Sequence, residues 1–402
     1  MNTAVPSLES GPDRATASAS TTREWDLVRA AGSIREADLK HMRSFLEAPL
    51  DWQAVLRLAD HHRTTELMYR NLLHVDASAE LVPAPVFASL QKNSQRNVHK
   101  SLFLAREVIR VVACLNGRGI DVMPYKGVVM SEAYYGDLSL RLAGDMDFFV
   151  RQCDVARVKN FVRDLGYTLR LDIPHEAEQD YIASGYEYTF DSPAGKNLLE
   201  LQWALLPRFY AVDFDMGGLF ARAVNVSVAG SGVKTPAAED LLLLLSVHAA
   251  KHVWGRLIWL CDIAQILRRE NLNWDWVQGQ ARELGIERIL QVTLLLARQL
   301  VGAGIPAPVS NAMVRDPAVS KFANQIAAEI ASGTLRQTEN LSYFRLLMGL
   351  RERRIDRLRF LTRLAFTPGP GEWAAVPLPR ALFPLYRVVR MARLSRRFAG
   401  MG

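Results

Sequence analysis

The sequence predicts an α+β fold: a small mixed β-sheet unit set between an N-terminal run of helices and a C-terminal helical domain. Three observations predict it. Apolar residues recur at the three- and four-residue helix spacing within 36–117, as in Leu104, Ala105, Val108, Val112 and Leu115, and a helical pattern returns after Pro236. Between these stretches the pattern changes to short apolar runs bounded by glycine and polar residues, which is how strands read. The composition of the 402 residues, 49% hydrophobic and 23% charged, is that of a globular chain with length for more than one core. It excludes a disordered chain, a collagen-like chain and a disulfide-stapled scaffold.

The elements follow in order. Residues 1–34 are expected to be a disordered leader, because 2–24 are rich in Ser, Thr, Ala and Gly and contain Pro6 and Pro12. They lack the basic and then apolar regions of a secretory signal. Residues 35–117 form an N-terminal helical segment that Gly117 and Gly119 stop. In 118–235, strands are expected at Asp121–Tyr125, Met146–Val150, Tyr167–Leu171, Tyr186–Phe190, Leu198–Trp203 and Asn225–Val228. A helix is expected over Val128–Tyr135 and another over Asp154–Leu165. From 236 to 402 packed helices are expected at Leu241–Val253, Leu257–Arg269, Trp274–Leu284 and Ile289–Val301. A patch containing Pro368, Pro370, Pro377 and Pro379 then precedes a last helix near Leu382–Phe398. No apolar run approaches the roughly 20 residues that a spanning helix needs. The three cysteines, Cys114, Cys153 and Cys261, are scattered, so a reducing cytoplasm is the expected setting.

The net charge of +7 is unevenly placed. From Arg351 to the end the chain has twelve arginines, no lysine and three acids, an excess of nine positive charges, so the first 350 residues carry a net of −2. Such an end suits a polyanion such as RNA, or an anionic membrane surface. It equally suits helices whose arginines cover apolar surface.

The most informative stretch runs from Met123 to Arg151. Asp145 and Asp147 open an apolar strand, and strand alternation puts both carboxylates on one face with Met146, Phe148 and Val150 on the other. In Leu198–Trp203 the same alternation sets Glu200 with Gln202, opposite Leu199, Leu201 and Trp203. Three acids within apolar strands are costly unless paired or metal-bound. An all-oxygen set suits Mg2+ shared with substrate phosphates, and two such ions can hold an in-line phosphoryl displacement. The plainer alternative is a chance Asp-x-Asp in which Asp145 ends a strand.

This ordered set resembles the nucleotidyltransferase superfamily related to DNA polymerase beta, and more closely a bacterial group of uncharacterised nucleotidyltransferases. The matching residues are Lys126-Gly127, Tyr135, Arg141, Asp145 and Asp147, Glu200 with Trp203, His248 and His252 with Trp254, Trp259 with Asp262, and Leu378-Pro379 with Leu385-Tyr386-Arg387. The resemblance covers about 35–395. It implies that 118–235 is the nucleotidyltransferase core and that Asp145, Asp147 and Glu200 are catalytic, metal-binding carboxylates for two Mg2+ ions, or Mn2+. Substrate-binding roles fall to Lys126, Gly127, Arg141, Lys251 and His252. Two departures stand out. The superfamily usually has Gly-Ser where this chain has Lys-Gly, and Gln202 stands where the group often has His, so no general base is expected there.

Other residues have competing readings. Arg141 suits phosphate oxygens, or a surface ion pair with Asp137. His248 and His252 have the i, i+4 spacing of a zinc pair, but Ala249 stands where a metalloprotease needs Glu. Packed histidines or an edge facing substrate are the alternatives. Tyr134 and Tyr135 read as core, and Asp262 as an anchor for His248 or Arg256. No Walker loop, dinucleotide fingerprint or nucleophile elbow occurs. The expected activity is Mg2+-dependent transfer of a nucleoside monophosphate from an NTP, ATP included, to an acceptor that is a small molecule, RNA or peptide. The alternative is the same fold without chemistry, binding nucleotide, RNA or a protein partner. The family context also suggests a partner at a membrane periphery.

Overall fold

The computed structural model describes residues 22–33, 36–76, 80–171, 173, 175–193, 195, 197–334, 340–376, 378 and 380–398. Most of the expected leader, 1–21, lies outside them, as do Pro377 and Pro379. Residues 22–32 were expected in that leader but form the helix Thr22–Gly32. Leu27, Val28, Ala30 and Ala31 are buried on one of its sides, and that apolar stripe outweighs the polar composition on which the leader expectation rested. The helical segment that follows is four helices: Glu36–Leu46, Trp52–His61, Thr65–Val75 and Ala84–Asn116. Asp51 caps the second by accepting from the Ala54 backbone N–H at 3.0 Å.

The sheet is built from β1 (Val122–Pro124), β2 (Asp145–Val150), β3 (Thr168–Leu169), β4 (Glu187–Asp191) and β5 (Leu198–Gln202). Its strand order is β1-β2-β5-β4-β3. β2 and β5 run parallel, with Asp145 opposite Leu198 and Asp147 opposite Glu200. The other neighbours are antiparallel. A separate hairpin joins β6 (Val224–Val228) to β7 (Ser231–Thr235). Ala229 and Gly230, both at positive φ, supply its two-residue turn. Sequence reading missed β7, whose Ser-Gly-Val-Lys-Thr has little apolar signal. It also missed the helices His175–Ser184, Leu341–Gly349 and Arg354–Phe366.

The two faces of the sheet have different fates. Met146, Phe148, Val150, Leu199, Leu201, Tyr188 and Phe190 share one face and are all buried. The C-terminal half of Ala84–Asn116 and the helix Val155–Asp164 cover that face with Leu104, Val108, Val112, Val158 and Val162. Trp203 and, from the end of the chain, Trp373 and Tyr386 join the same cluster. On the other face, Met123, Tyr125 and Phe149 pack into the larger core formed with Ala238–Lys251, Leu257–Arg269 and Glu287–Val301. That core covers only the β1 end of the face. The acids lie beyond it.

A buried charged contact is among those that tie the sheet unit to the helical domain. Arg141, in the loop before β2, donates through Nε and Nη2 to both oxygens of Asp262 on Leu257–Arg269, at 2.8–3.0 Å. The Tyr135 hydroxyl donates to the same Asp262 Oδ1 at 2.7 Å. Tyr135 ends a single π-helical turn, Ser131–Tyr135, closed by Gly136 at φ 77°. Asp262 is fully buried and Arg141 nearly so. Removing one partner of such a pair strands a charge in low dielectric. We predict that Asp262→Ala lowers the unfolding free energy by about 3–5 kcal/mol in urea titration. An unchanged denaturation midpoint would show that the pair does not hold the two units together.

Candidate active site

The site begins at the β1 exit. Gly127 has φ +56°, and a Cβ there would meet the Asp145 carbonyl oxygen at 3.3 Å and the Ala143 Cβ at 3.6 Å. Only glycine takes that conformation at little cost beside a second backbone. Gly127 therefore holds the turn against the start of β2 from beneath, without lining the cavity. The turn places Lys126 over the acids. Its Nζ donates to Asp147 Oδ1 at 2.9 Å. Burial alone would lower the lysine's pKa; Asp147, Tyr125, Glu200 and Asp145 together hold it well above the ordinary value.

Asp145 and Asp147 share one face, as alternation predicted, and the register sets Glu200 beside Asp147 on that face. The repulsion shows in their protonation. Asp147 first, and then burial, raise the Asp145 carboxyl. Burial, followed by Asp147 and Glu187, pushes Glu200 up to about 9. Gln202 donates through Nε2 to Glu200 Oε2 at 2.9 Å and accepts from the Tyr125 hydroxyl at 2.8 Å. The residue expected only to lack a base function thus orients the Glu200 carboxylate. Tyr125 is itself fixed by stacking on Phe149, with centroids 4.1 Å apart.

These groups open on a cavity of about 760 Å³. It is lined by Lys126, Arg141, Asp145, Asp147, Glu200, Lys251 and His252 among others, so every predicted site residue except Gly127 meets there. Arg141 reaches the wall with two nitrogens already committed to Asp262. It is neither the surface partner of Asp137 nor an uncommitted clamp. The loop carries it inward, and the carboxylate it bonds there is that of Asp262. Asp262 in turn anchors Arg141 and Tyr135.

The helical wall depends on a chain reversal. After His252, Val253 and Trp254 both have positive φ, 54° and 50°, rare for bulky residues. The buried Trp254 indole donates to Thr293 Oγ1 at 2.9 Å and fixes this reversal. Ala238–Lys251 and Leu257–Arg269 then present His248, His252 and Trp259 as one aromatic wall, with centroids 4.9–5.5 Å apart. Burial first and neighbouring cations second hold His248 well below its ordinary value and His252 down to about 3. Both imidazoles are neutral. Among the described residues no three His, Cys, Asp or Glu side chains converge closely enough to hold an ion as they stand, so the zinc reading has no third ligand.

Sequence reading missed Glu187. It opens β4 on the acidic face, one strand from Glu200, and accepts from the Tyr186 hydroxyl. Burial raises its carboxyl, with Lys251 opposing. The alternation in Tyr186–Phe190 was the available signal, since it sets Glu187 apart from Tyr188 and Phe190. His61, Arg63 and Arg256 also line the cavity and had no motif to mark them.

A family model described as an uncharacterised nucleotidyltransferase matches residues 48–302. The chain belongs to this family. The match takes in the whole sheet and the helices that wall the cavity. It supports nucleotidyl transfer as the reaction class and the α+β nucleotidyltransferase fold for the architecture. The curated proteins contain no match to the chain. None of the described helices is long and apolar enough to cross a membrane.

The raised Glu200 carboxyl makes the metal-free protein pH-sensitive. Its folded value of about 9 lies above the ordinary 4.5, so folding takes up a proton between the two. That stabilisation is complete below pH 4.5 and is lost as pH rises through 9. Glu200→Gln keeps the shape and cannot ionise. In chelator-treated protein, wild-type stability should fall from pH 5 to 9 relative to the variant, as read from urea unfolding at each pH. Parallel pH profiles would refute the assignment.

Proposed function

We propose that the protein transfers a nucleoside monophosphate from an NTP to an acceptor hydroxyl or phosphate and releases pyrophosphate, with Mg2+ as cofactor. One observation carries this reading. The β2–β5 register gathers Asp145, Asp147 and Glu200 on the floor of a cavity whose walls carry Lys126, Arg141 and Lys251. The donor set suits a hard cation by its chemistry, all oxygen on one face, and an ion that drew the three carboxyls together would relieve their mutual repulsion. Asp145, Asp147 and Glu200 would hold the metal. When bound, Mg2+ neutralises phosphate charge and polarises the reacting oxygens.

The chain's own groups do the rest. The acceptor oxygen bonds to the α-phosphorus as the bond to the bridging oxygen breaks, and pyrophosphate leaves with that electron pair. Glu200 in its ionised form, held by Gln202, is placed to take the acceptor's proton. Lys126 and Arg141 offset the triphosphate charge. The neutral His248 and His252 rings and Trp259, tilted against one another, offer aromatic surface for the base. A cytoplasm, which supplies NTP and Mg2+, accords with this chemistry.

A second reading, a binding protein without chemistry, has its own observation: Lys126 already neutralises Asp147. The two readings part on labelling. Incubation with each α-labelled NTP and fractionated cell extract should label one fraction, and the pair Asp145→Asn, Asp147→Asn should reduce this by about 100-fold or more. Equal labelling by the variant ends the enzymatic reading. Magnesium-independent nucleotide stabilisation without transfer supports the binder.

A further inference from the structure

A second chamber, of about 230 Å³, adjoins the main cavity. Tyr186, Glu187 and Lys251 line both spaces, so a molecule in the chamber abuts the acidic face across a shared wall. Its far side comes from the end of the chain: Gly369, Gly371 and Glu372, and Arg390 and Arg393 on the helix Tyr386–Phe398.

We infer that this chamber holds the acceptor, and that the acceptor carries an anionic group, a phosphate or a carboxylate. The inference rests on the nucleotidyl-transfer reading above. Its first support is charge. Lys251, Arg390 and Arg393 meet two carboxylates. Glu187 is raised by burial and takes the Tyr186 hydroxyl. Glu372, buried at 2% exposure, is shared by both arginines, with Arg393 Nη1 at 2.9 Å and Arg390 Nη1 at 3.4 Å. Two guanidiniums share this carboxylate, and with Lys251 they set three cationic side chains against two carboxyl groups in the lining.

The second support is construction. The Gly369 backbone N–H donates to Glu372 Oε2 at 2.7 Å and fixes that carboxylate. The Arg390 guanidinium lies 4.5 Å from the Phe209 ring centroid, and its Nε donates to the Leu364 carbonyl. Arg393 lies so close to Gly371 that a Cβ there would stand 2.6 Å from Nη1. The arginines are thus placed by packing, not merely tethered at the surface. The chamber is also below the range of about 300–1,000 Å³ usual for drug-sized ligands. It suits a phosphate ester or a short acidic group.

The third support is where the parts lie in the chain. Asp145, Asp147, Glu187, Glu200 and Lys251 fall inside the family match of 48–302, while the wall from Gly369 to Arg393 falls beyond it. Transfer chemistry belongs to the shared region, and acceptor choice to the segment that follows.

The test is calorimetric titration of the full chain, with Mg2+ and a non-hydrolysable ATP analogue filling the main cavity. Three probes separate the sources of charge: glycerol 3-phosphate, glycerate and neutral glycerol. We expect an anionic probe to bind and glycerol not to. Arg393→Gln should weaken the anionic probe about tenfold, the loss of one charge-assisted hydrogen bond. Gly371→Ala keeps the charge but displaces the guanidinium, and should weaken it similarly. Nucleotide affinity should be unchanged in both variants. Asp145→Asn with Asp147→Asn should impair nucleotide binding and leave the probe bound. The inference is overturned if no anionic probe binds, if glycerol binds as well, or if neither Arg393→Gln nor Gly371→Ala matters. Failure of the nucleotide reading has a separate signature: no Mg2+-dependent analogue binding, while arginine-dependent probe binding persists.

Discussion

Because β2 and β5 run parallel and in register, Asp147 stands beside Glu200, and the rest of the site answers the repulsion this creates. Antiparallel neighbours can be joined by a two-residue turn, whereas parallel ones need a long crossover. Here the chain between them forms Val155–Asp164, β3, His175–Ser184 and β4. β4 then pairs with the far edge of β5 and brings Glu187 to the same face. Four carboxyl groups therefore gather where the sheet has no hydrophobic cover. Lys126 is the nearest counter-charge, and it arrives only because Gly127 lets the β1 turn close on the β2 backbone. The acids are held apart by strand geometry and held ready by hydrogen bonds, as through Gln202 and Tyr125. That is preorganisation: the orienting groups are in place before any substrate arrives.

The Arg141–Asp262 pair performs a different task. Two fully charged groups taken from water gain little net stability over apolar packing, but breaking them is costly. Their value here is geometric. The pair sets the loop before β2 against Leu257–Arg269, the helix that carries Trp259, and so fixes the width of the cavity. Tyr135 adds a second donor to the same carboxylate from the π-helical turn. Opposite groups on the acidic floor and the aromatic wall come from distant parts of the chain, and this shared carboxylate keeps them in one arrangement.

Much of this was legible in the residues, for a physical reason. Strand alternation is a hard rule, so Asp145 and Asp147 could be set on one face of their strand and Glu200 with Gln202 on one face of theirs, and the β2–β5 register joins the two faces. Helix periodicity is nearly as strong, and the helices from Leu241 to Val301 stand close to where it set them. Composition was weaker. The polar leader concealed the helix Thr22–Gly32, because an average over a window hides a one-sided apolar stripe. Arg141 illustrates a further limit. Its position in the chain shows it near the acids, but its partner is 121 residues away, and only folding reveals which carboxylate claims it. Glu187 was passed over, and Gln202 was read only as lacking a base function, because their value lies in what stands on adjacent strands.

The basic end shows how far a local charge count can mislead about function. Twelve arginines after residue 350 looked separate from the chemistry, since the acids lie in a nearly neutral body. The fold uses several of them internally. Arg351 is buried and donates to the carbonyls of Gly285 and Tyr210. Arg353 pairs with Asp356, and Arg363 with Asp213. Arg390 and Arg393 converge on Glu372 beside the main cavity. A segment can hold a large positive excess and still be an integral wall, because buried guanidiniums satisfy carbonyls as readily as carboxylates. The charge this segment turns toward the acidic sheet is therefore what is left after internal pairing. That remainder lies where the end of the chain returns to the acidic sheet, so the division between a neutral catalytic body and a basic appendage holds along the sequence and dissolves in space.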